Sequence, residues 1–247
     1  MSLKTADETL VTAWSGVPDA LTVEILARQG FDAVTLDMQH GGHHEDSVLR
    51  GILPVLAVGK PALVRIPVGR FDMASRALDF GAEAVIAPMV NSVADARQFA
   101  AAMKYPPMGE RSWGPTYAFP RHGKGDHAEW LRDTNQRTMA FAVVKTRAAL
   151  DALDGILDTP GIDSIFLGPS DFSLAWSTME SMMETVASVA ERTRKAGKHA
   201  AIYVVEPAIA GRVVGMGYRL LATGSEHALI GLGAKALLQG IKTSIGG

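Results

Sequence analysis

Eight short apolar runs, each followed by a stretch with helical patterning, organise the chain. The runs are Leu10–Trp14, Ala33–Leu36, Ala62–Ile66, Ala84–Met89, Met139–Val144, Ser164–Leu167, Ala200–Val204 and Arg219–Ala222. They stay apolar instead of alternating with polar residues, which is typical of parallel strands covered by helices. Eight such units predict an α/β fold, a single-domain (β/α)8 (TIM) barrel over residues 1–247. An open doubly wound sheet is the alternative, but it would need about two units fewer.

The composition excludes several classes of protein and site. The chain has no cysteine, which rules out disulfides, zinc–thiolate centres and thiol nucleophiles. A net charge of −2 without a basic stripe gives no reason to expect nucleic acid as a partner. No apolar run is long enough for a membrane span and no secretory signal is visible, so we expect a cytoplasmic enzyme or binding protein. Residues 1–3 could be a vector remnant.

The segment Gly161–Ser173 carries the clearest local signal of a binding site. Its strand-like run ends at Gly168-Pro169, and Ser170 and Asp171 follow where the strand should end. Small residues there let a ligand approach the backbone, and the polar pair could bind a small anion or a metal. The alternative is a turn followed by a helix cap, since serine and aspartate are good caps.

Polar residues follow the other predicted strands as well. They are Trp14-Ser15, Asp37 to His40, Arg65, Pro88 to Asn91, Lys145-Thr146, Gly168 to Asp171, Glu206 and Ser225-Glu226. In a closed barrel these strand ends meet at one rim, where such barrels have their active sites. Arg65 alone could be a salt-bridge residue and His40 a loop residue. Together, the residues indicate a cationic pocket for a small acid, with a histidine as base.

Three further features have plainer interpretations. The stretch Tyr105–Gly125 is predicted to be the longest irregular segment, which in a compact domain is usually functional or a lid. His43 and His44 resemble part of a metal cluster, but without a zinc spacing we expect them in a solvated loop that opens a helix. The Gly-Leu-Gly of residues 231–233 lies inside a helical pattern, so we interpret it as close helix packing rather than dinucleotide binding.

Several segments together resemble the HpcH/HpaI aldolases, over nearly the whole chain. They are Gly30 to Ala33 with Asp37 and His40, Val64-Arg65, Ala87 to Val90, Tyr105 to Arg111, and Gly161 to Ser173. That family consists of class II aldolases, which use a divalent metal to cleave 4-hydroxy-2-oxo acids into pyruvate and an aldehyde. The resemblance implies a (β/α)8 barrel with Mg²⁺ or Mn²⁺ as cofactor, an oxo acid and an aldehyde as ligands, and assembly as homo-oligomers from dimers to a trimer of dimers.

The resemblance also implies roles for individual residues. His40 would be the catalytic base and Asp37 the carboxylate that orients it. Arg65 would bind the keto oxygen and stabilise the enolate, which is the effect expected to weigh most. The substrate would be held by Arg65, Trp14, Gly168, Pro169, Ser170 and Asp171, and Asp171 would also be one of two acidic metal ligands.

The chain departs from the family pattern on the metal side of the pocket. Lys145 stands where the family has a glutamate, the other acidic metal ligand. Val143, Gln39 and the Gly-Ser-Glu of residues 224–226 also differ from the residues expected there. Because hard cations require anionic oxygen ligands, an ammonium group at that position predicts weak or absent metal binding.

Three outcomes of the Lys145 substitution stay open at this level. Its ammonium could pair with Asp171 and replace the charge of the metal while catalysis fades. Its amine could attack the ketone as a Schiff-base nucleophile. The barrel could also bind an oxo acid without turning it over. The leading interpretation is an aldolase, a carbon–carbon lyase, that cleaves 4-hydroxy-2-oxo acids through an enolate.

Overall fold

Eight parallel strands close into one barrel in chain order, with β8 pairing back to β1. The computed structural model describes Leu3 and residues 8–122, 126–168 and 179–246, without the side chain of Met179. The strands are β1 (Leu10–Ser15), β2 (Ala33–Asp37), β3 (Ala62–Arg65), β4 (Ala84–Ala87), β5 (Met139–Val144), β6 (Ser164–Leu167), β7 (His199–Tyr203) and β8 (Tyr218–Thr223). The predicted (β/α)8 barrel is confirmed.

Helices follow the strands and cover the barrel. They are α1 (Ala20–Ala27), α2 (Glu45–Ala57), α3 (Asp72–Phe80), α4 (Val93–Met103), α5 (Ala118–His122), α6 (His127–Arg137), α7 (Arg147–Asp151), α8 (Leu153–Leu157), α9 (Met179–Lys195), α10 (Ala210–Met216) and α11 (Glu226–Ser244), with a 3-10 helix at Pro207–Ile209. In the described ranges, no helix combines the length and apolarity needed to cross a membrane.

Side chains of each strand alternate between two apolar layers. On β5, Phe141 and Val143 belong to the cluster inside the barrel, whereas Ala140 and Ala142 belong to the cluster between the sheet and the helices. Because both faces are buried, the strands are mainly apolar and do not alternate with polar residues. Trp14, Val143 and Phe166 belong to the inner cluster and also line the cavity above it, so the core forms the floor of the site.

The stretch Tyr105–Gly125 contains helix α5, so the prediction of an irregular segment is wrong for residues 118–122. Arg121 donates hydrogen bonds to the carbonyl oxygens of Phe80 and Leu49. These bonds attach the short helix to the end of α3 and to α2. Five residues are too few for a helix that is stable alone, so tertiary contacts rather than local propensity account for it.

Helix α11 has almost no contact with its own barrel. Of its residues, only the first, Glu226, is buried. Ile230 and Leu237 are 70% and 67% exposed. The prediction of close packing at residues 231–233 is wrong within one copy of the chain, because a Cβ added at either glycine would meet nothing within 4 Å. Against the described residues, the helix therefore leaves an apolar surface uncovered.

Candidate active site

A cavity of about 400 Å³ opens at the C-terminal ends of the strands. It is lined by Trp14, Gly16, Asp37, His40, Gly41, Arg65, Val143, Lys145, Phe166, Gly168, Tyr203 and Ser225. The volume suits a small-molecule ligand. The structure therefore brings six of the predicted site positions to one place, namely Trp14, Asp37, His40, Arg65, Lys145 and Gly168.

Asp37 and Arg65 form a two-pronged ion pair at the ends of β2 and β3. Arg65 donates from Nε to Oδ1 of Asp37 at 2.7 Å and from Nη2 to Oδ2 at 2.5 Å. The indole of Trp14 donates to Oδ2 at 3.2 Å. Backbone amides of residues 39, 40 and 41 donate to the same carboxylate at 2.9, 3.3 and 3.0 Å. The guanidinium is thus held in one orientation, and among the described residues its Nη1 meets no acceptor.

This environment determines what Asp37 can do. Burial alone would raise the pKa of its carboxyl, but the hydrogen bonds and charge of Arg65, with the backbone amides, outweigh that effect and lower the pKa below its usual value. The carboxylate therefore stays ionised. Its hydrogen bond to His40 goes to the backbone amide and not to the imidazole. Asp37 positions Arg65, whereas the sequence predicted that it would orient the His40 side chain.

Aromatic side chains hold the other side of the guanidinium. The Arg65 Cζ lies 4.8 Å from the ring centroid of Trp14. Tyr203 meets Trp14 edge-on at 5.4 Å, and Phe166 lies 5.8 Å from it. Burial raises the pKa of the Tyr203 phenol, which stays a neutral hydrogen-bond donor. Tyr203 was missed from the sequence because it ends an apolar strand, and its inward direction follows only from the strand register.

The imidazole of His40 lies at the mouth of the cavity on a tight turn after β2. A Cβ at Gly41 would lie 2.5 Å from the carbonyl oxygen of Asp37 and 2.9 Å from the Cα of Gly16. Glycine is therefore required for this turn to fold against the loop after β1. An exposed histidine in this place can exchange a proton with a bound ligand.

Lys145 directly follows β5, is 8% exposed and lines the cavity. Among the described lining residues, the basic side chains of Lys145 and Arg65 accompany the carboxylate of Asp37. Two basic groups in one small cavity favour an acidic ligand.

The same residues do not fit a divalent metal. In the described part of the chain, no group of three His, Cys, Asp or Glu side chains could hold a metal ion. Lys145 stands where the resemblance implies an acidic ligand; its ammonium group repels a cation, and Val143 two residues before it offers no donor. The described residues therefore do not support the predicted Mg²⁺ or Mn²⁺ site, and the predicted ligand Asp171 lies outside them.

A buried polar network joins the first and last strands beside the cavity. Ser15 Oγ donates to Oε1 of Glu226 at 2.6 Å and lies 2.9 Å from Nε2 of His43, whose Nδ1 is 3.1 Å from Ser47 Oγ. The Gly16 amide donates to the other Glu226 oxygen at 2.8 Å. His43 is 5% exposed, so the prediction of a solvated loop residue is wrong for it.

This network also sets the state of the His43 ring. Burial lowers the pKa of His43, although the charges of Glu226 and Asp37 partly oppose it. The ring is therefore neutral near pH 7. No sequence motif indicated this network, because its members come from three distant segments.

Some of the predicted rim residues do not line the cavity, and others lie outside the described residues. Glu206 is exposed and, like residues 88–91, is not among the described residues that line the cavity. Pro169, Ser170 and Asp171 lie outside the described residues, so their predicted roles in binding substrate and metal stay predictions.

Known proteins with similar sequences are aldolases. The sequence pattern of the HpcH/HpaI aldolase/citrate lyase family matches residues 11–230. The hydroxypyruvate/pyruvate aldolase of Roseovarius nubinhibens is 33% identical over 93% of this chain and 91% of its own. The 2-keto-3-deoxy-L-rhamnonate aldolase of Salmonella gallinarum is 28% identical over 90% of this chain and 85% of its own. The predicted enzyme class, an aldolase and carbon–carbon lyase, is confirmed.

Comparison of the fold with solved structures identifies the same family. A crystal structure of an HpcH/HpaI aldolase from Desulfitobacterium hafniense superposes with a TM-score of 0.86 at 26% identity, covering 95% of this chain and 93% of that one. Sequence pattern, relatives and fold agree over nearly the full length, and the chain belongs to the HpcH/HpaI aldolase/citrate lyase family.

Proposed function

We propose that this aldolase cleaves 4-hydroxy-2-oxo acids into pyruvate and an aldehyde. His40 takes the proton from the C4 hydroxyl, and the C3–C4 bond breaks as the aldehyde carbonyl forms. The electron pair of that bond moves into the C2–C3 enolate, whose negative charge rests on the C2 oxygen. The imidazolium then returns the proton to C3, which yields pyruvate. Atoms and charge balance without any redox partner.

The fixed guanidinium of Arg65 is the observation that carries this proposal. Catalysis of this cleavage needs a positive charge aimed at the oxygen where the enolate charge develops. Asp37 uses two guanidinium nitrogens, so Arg65 cannot turn away, and Nη1 remains for the substrate. A hydrogen-bond donor that is already oriented stabilises the enolate more than a donor that must first move into place. His40 borders the same cavity and supplies the base.

Pyruvate release tests the proposal. Purified protein is mixed with 4-hydroxy-2-oxo acids of increasing length, and pyruvate is measured with lactate dehydrogenase and NADH. We expect turnover by the wild type and a loss of about 100- to 1000-fold in kcat for Arg65→Met. Arg70→Met is the matched control, because Arg70 forms an exposed ion pair with Asp72 away from the cavity.

A barrel that binds a 2-oxo acid without cleaving it is the competing function. The matched relatives in Roseovarius nubinhibens and Salmonella gallinarum are aldolases by name, which favours turnover. Binding of pyruvate in calorimetry without cleavage of any acid in the series would support the competitor. It would contradict the proposed lyase.

We also propose that the protein forms homo-oligomers in which α11 of one copy covers α1 of another. The exposed apolar residues of α11 support this arrangement, because a helix rarely leaves so much apolar surface in water. Leu21 and Ile25 on α1 are 70% and 62% exposed. In a (β/α)8 barrel the helix after the last strand normally packs beside the first helix. Because α11 does not cover α1 within one copy, the exposed side of α1 is available to α11 of another copy.

Small acids and aldehydes are the proposed ligands, and the cytoplasm is the proposed location. A cavity of about 400 Å³ supports the first part, because it admits a small molecule only. The second part follows from the proposed reaction, since pyruvate is produced and consumed in the cytoplasm. Cell fractionation followed by immunoblotting tests the location, and recovery in a membrane or secreted fraction would contradict it.

A further inference from the structure

We propose that the ammonium group of Lys145 takes the electrostatic place of a divalent metal, so that this aldolase works without one. The inference rests on the proposed lyase function and adds the source of its second positive charge. Lys145 and Arg65 line one cavity from the ends of β5 and β3, which are separated in the barrel by β4 alone. A 2-oxo acid bound in this cavity would face both cations.

The backbone around Lys145 is rigidly placed. Val144, before it, pairs in register with Leu167 of β6. Thr146, after it, caps helix α7 through the amide of Ala149 and donates to Oδ1 of Asn91 at 2.6 Å. A residue fixed between a buried strand and a capped helix holds its position without help from the ligand, which is the condition for a preorganised charge.

The surroundings strengthen the effect of this charge. Val143, Phe166, Trp14 and Tyr203 border the same cavity and present mainly carbon to it. Next to such apolar walls, a charge acts on a bound anion through a lower effective dielectric than in water. The same ammonium opposes entry of a divalent cation. One substitution thus removes the metal and supplies the charge that the metal would provide.

The metal dependence of turnover is the first test. Wild-type protein is treated with EDTA and assayed for pyruvate release. The assay is repeated after addition of Mn²⁺, Mg²⁺ or Co²⁺ at about 1 mM, a concentration that fills even weak metal sites. We expect kcat/KM values that agree within about twofold. Turnover that appears only with metal would overturn the inference and leave the lyase function standing. Absence of turnover under every condition would overturn both.

Substitutions at Lys145 separate charge from covalent chemistry. Lys145→Arg keeps the charge but cannot form a Schiff base, so we expect it to retain at least a tenth of kcat. Lys145→Met has a similar length without charge and should lose about 100-fold or more in kcat, with a smaller change in KM. Lys195→Met, at an exposed ion pair on α9, is the control. Equal losses in the Arg and Met variants, or a borohydride-trapped pyruvate adduct on wild-type Lys145, would overturn the inference.

A binding readout checks the metal argument without activity. Free Mn²⁺ is titrated with Lys145→Glu and with wild-type protein, and the electron paramagnetic resonance signal of the free ion is followed. We expect at least tenfold tighter binding by the glutamate variant. Tight Mn²⁺ binding by the wild type, or no difference between the two proteins, would overturn the inference. Circular dichroism and thermal melting verify that each variant folds.

Discussion

Asp37 illustrates at the level of one residue what sequence and structure each contribute. Its place after a strand and near His40 was visible in the sequence, and so was the basic residue at the end of the next strand. Their pairing depends on strand register, which places Asp37 directly opposite Arg65. Register in a parallel sheet comes from the packing of the whole barrel, so the partner of Asp37 could not be predicted from local pattern.

Replacing Asp37 by asparagine should destabilise the protein by about 3 kcal/mol, because it leaves a largely buried guanidinium without its counter-charge. Urea unfolding at pH 7 measures this. The Asp37 pKa is lowered in the folded state, so its contribution is present above the unfolded value of about 3.9 and is lost as pH falls through the folded pKa. Asp72→Asn, in an exposed pair, should cost less than about 1 kcal/mol. Equal losses in both variants would contradict the assigned role.

His43 should make stability fall in mildly acidic solution. Burial lowers its pKa in the folded protein, so the unfolded chain takes up a proton first as pH drops below about 6.5. The loss is at most about 1.4 kcal/mol per pH unit and ends below the folded pKa. Unfolding free energies between pH 7 and 5 should vary less in His43→Gln than in the wild type. His44→Gln, at an exposed position, should keep the wild-type slope, and a flattened slope there would refute the assignment.

The elements differ in how far the sequence determines them. Strands with two buried faces, such as β5 (Met139–Val144), lie where the pattern predicts them, because an apolar run is a local property of the sequence. Helix α5 depends on hydrogen bonds from Arg121 and His122 to backbone carbonyl groups at the end of α3. The sequence pattern of residues 105–125 does not indicate these contacts.

The exposed apolar residues of helix α11 predict that substitutions there weaken assembly. Leu237→Asp should reduce the assembled mass in light scattering while leaving the monomer folded, because the Leu237 side chain is 67% exposed among the described residues. Leu53→Asp is a matched control, an apolar residue of α2 that is 53% exposed and receives the same substitution. A wild-type protein that is monomeric at micromolar concentration would refute the proposed role of α11.

At the scale of the molecule, the barrel was predictable because the strands are mainly apolar and each is followed by a helix. The candidate site was predictable as a position, the rim where strand ends meet, and as a set of residue types. The hydrogen bonds and ion pairs within the site were not predictable. The network of Ser15, His43 and Glu226 joins residues up to 211 positions apart, and only closure of the barrel brings them together.

The position of Glu226 connects the cavity of one barrel to the proposed contacts of α11 with another copy. Glu226 is the first residue of α11, and its carboxylate is bonded to Ser15 and to the amide of Gly16, which borders the cavity. A neighbouring copy that holds α11 would therefore also restrain the wall of the pocket from which α11 starts. Dilution that releases the helix would loosen that wall, so substrate affinity would rise and fall with enzyme concentration. The KM of such an enzyme is a property of the assembly.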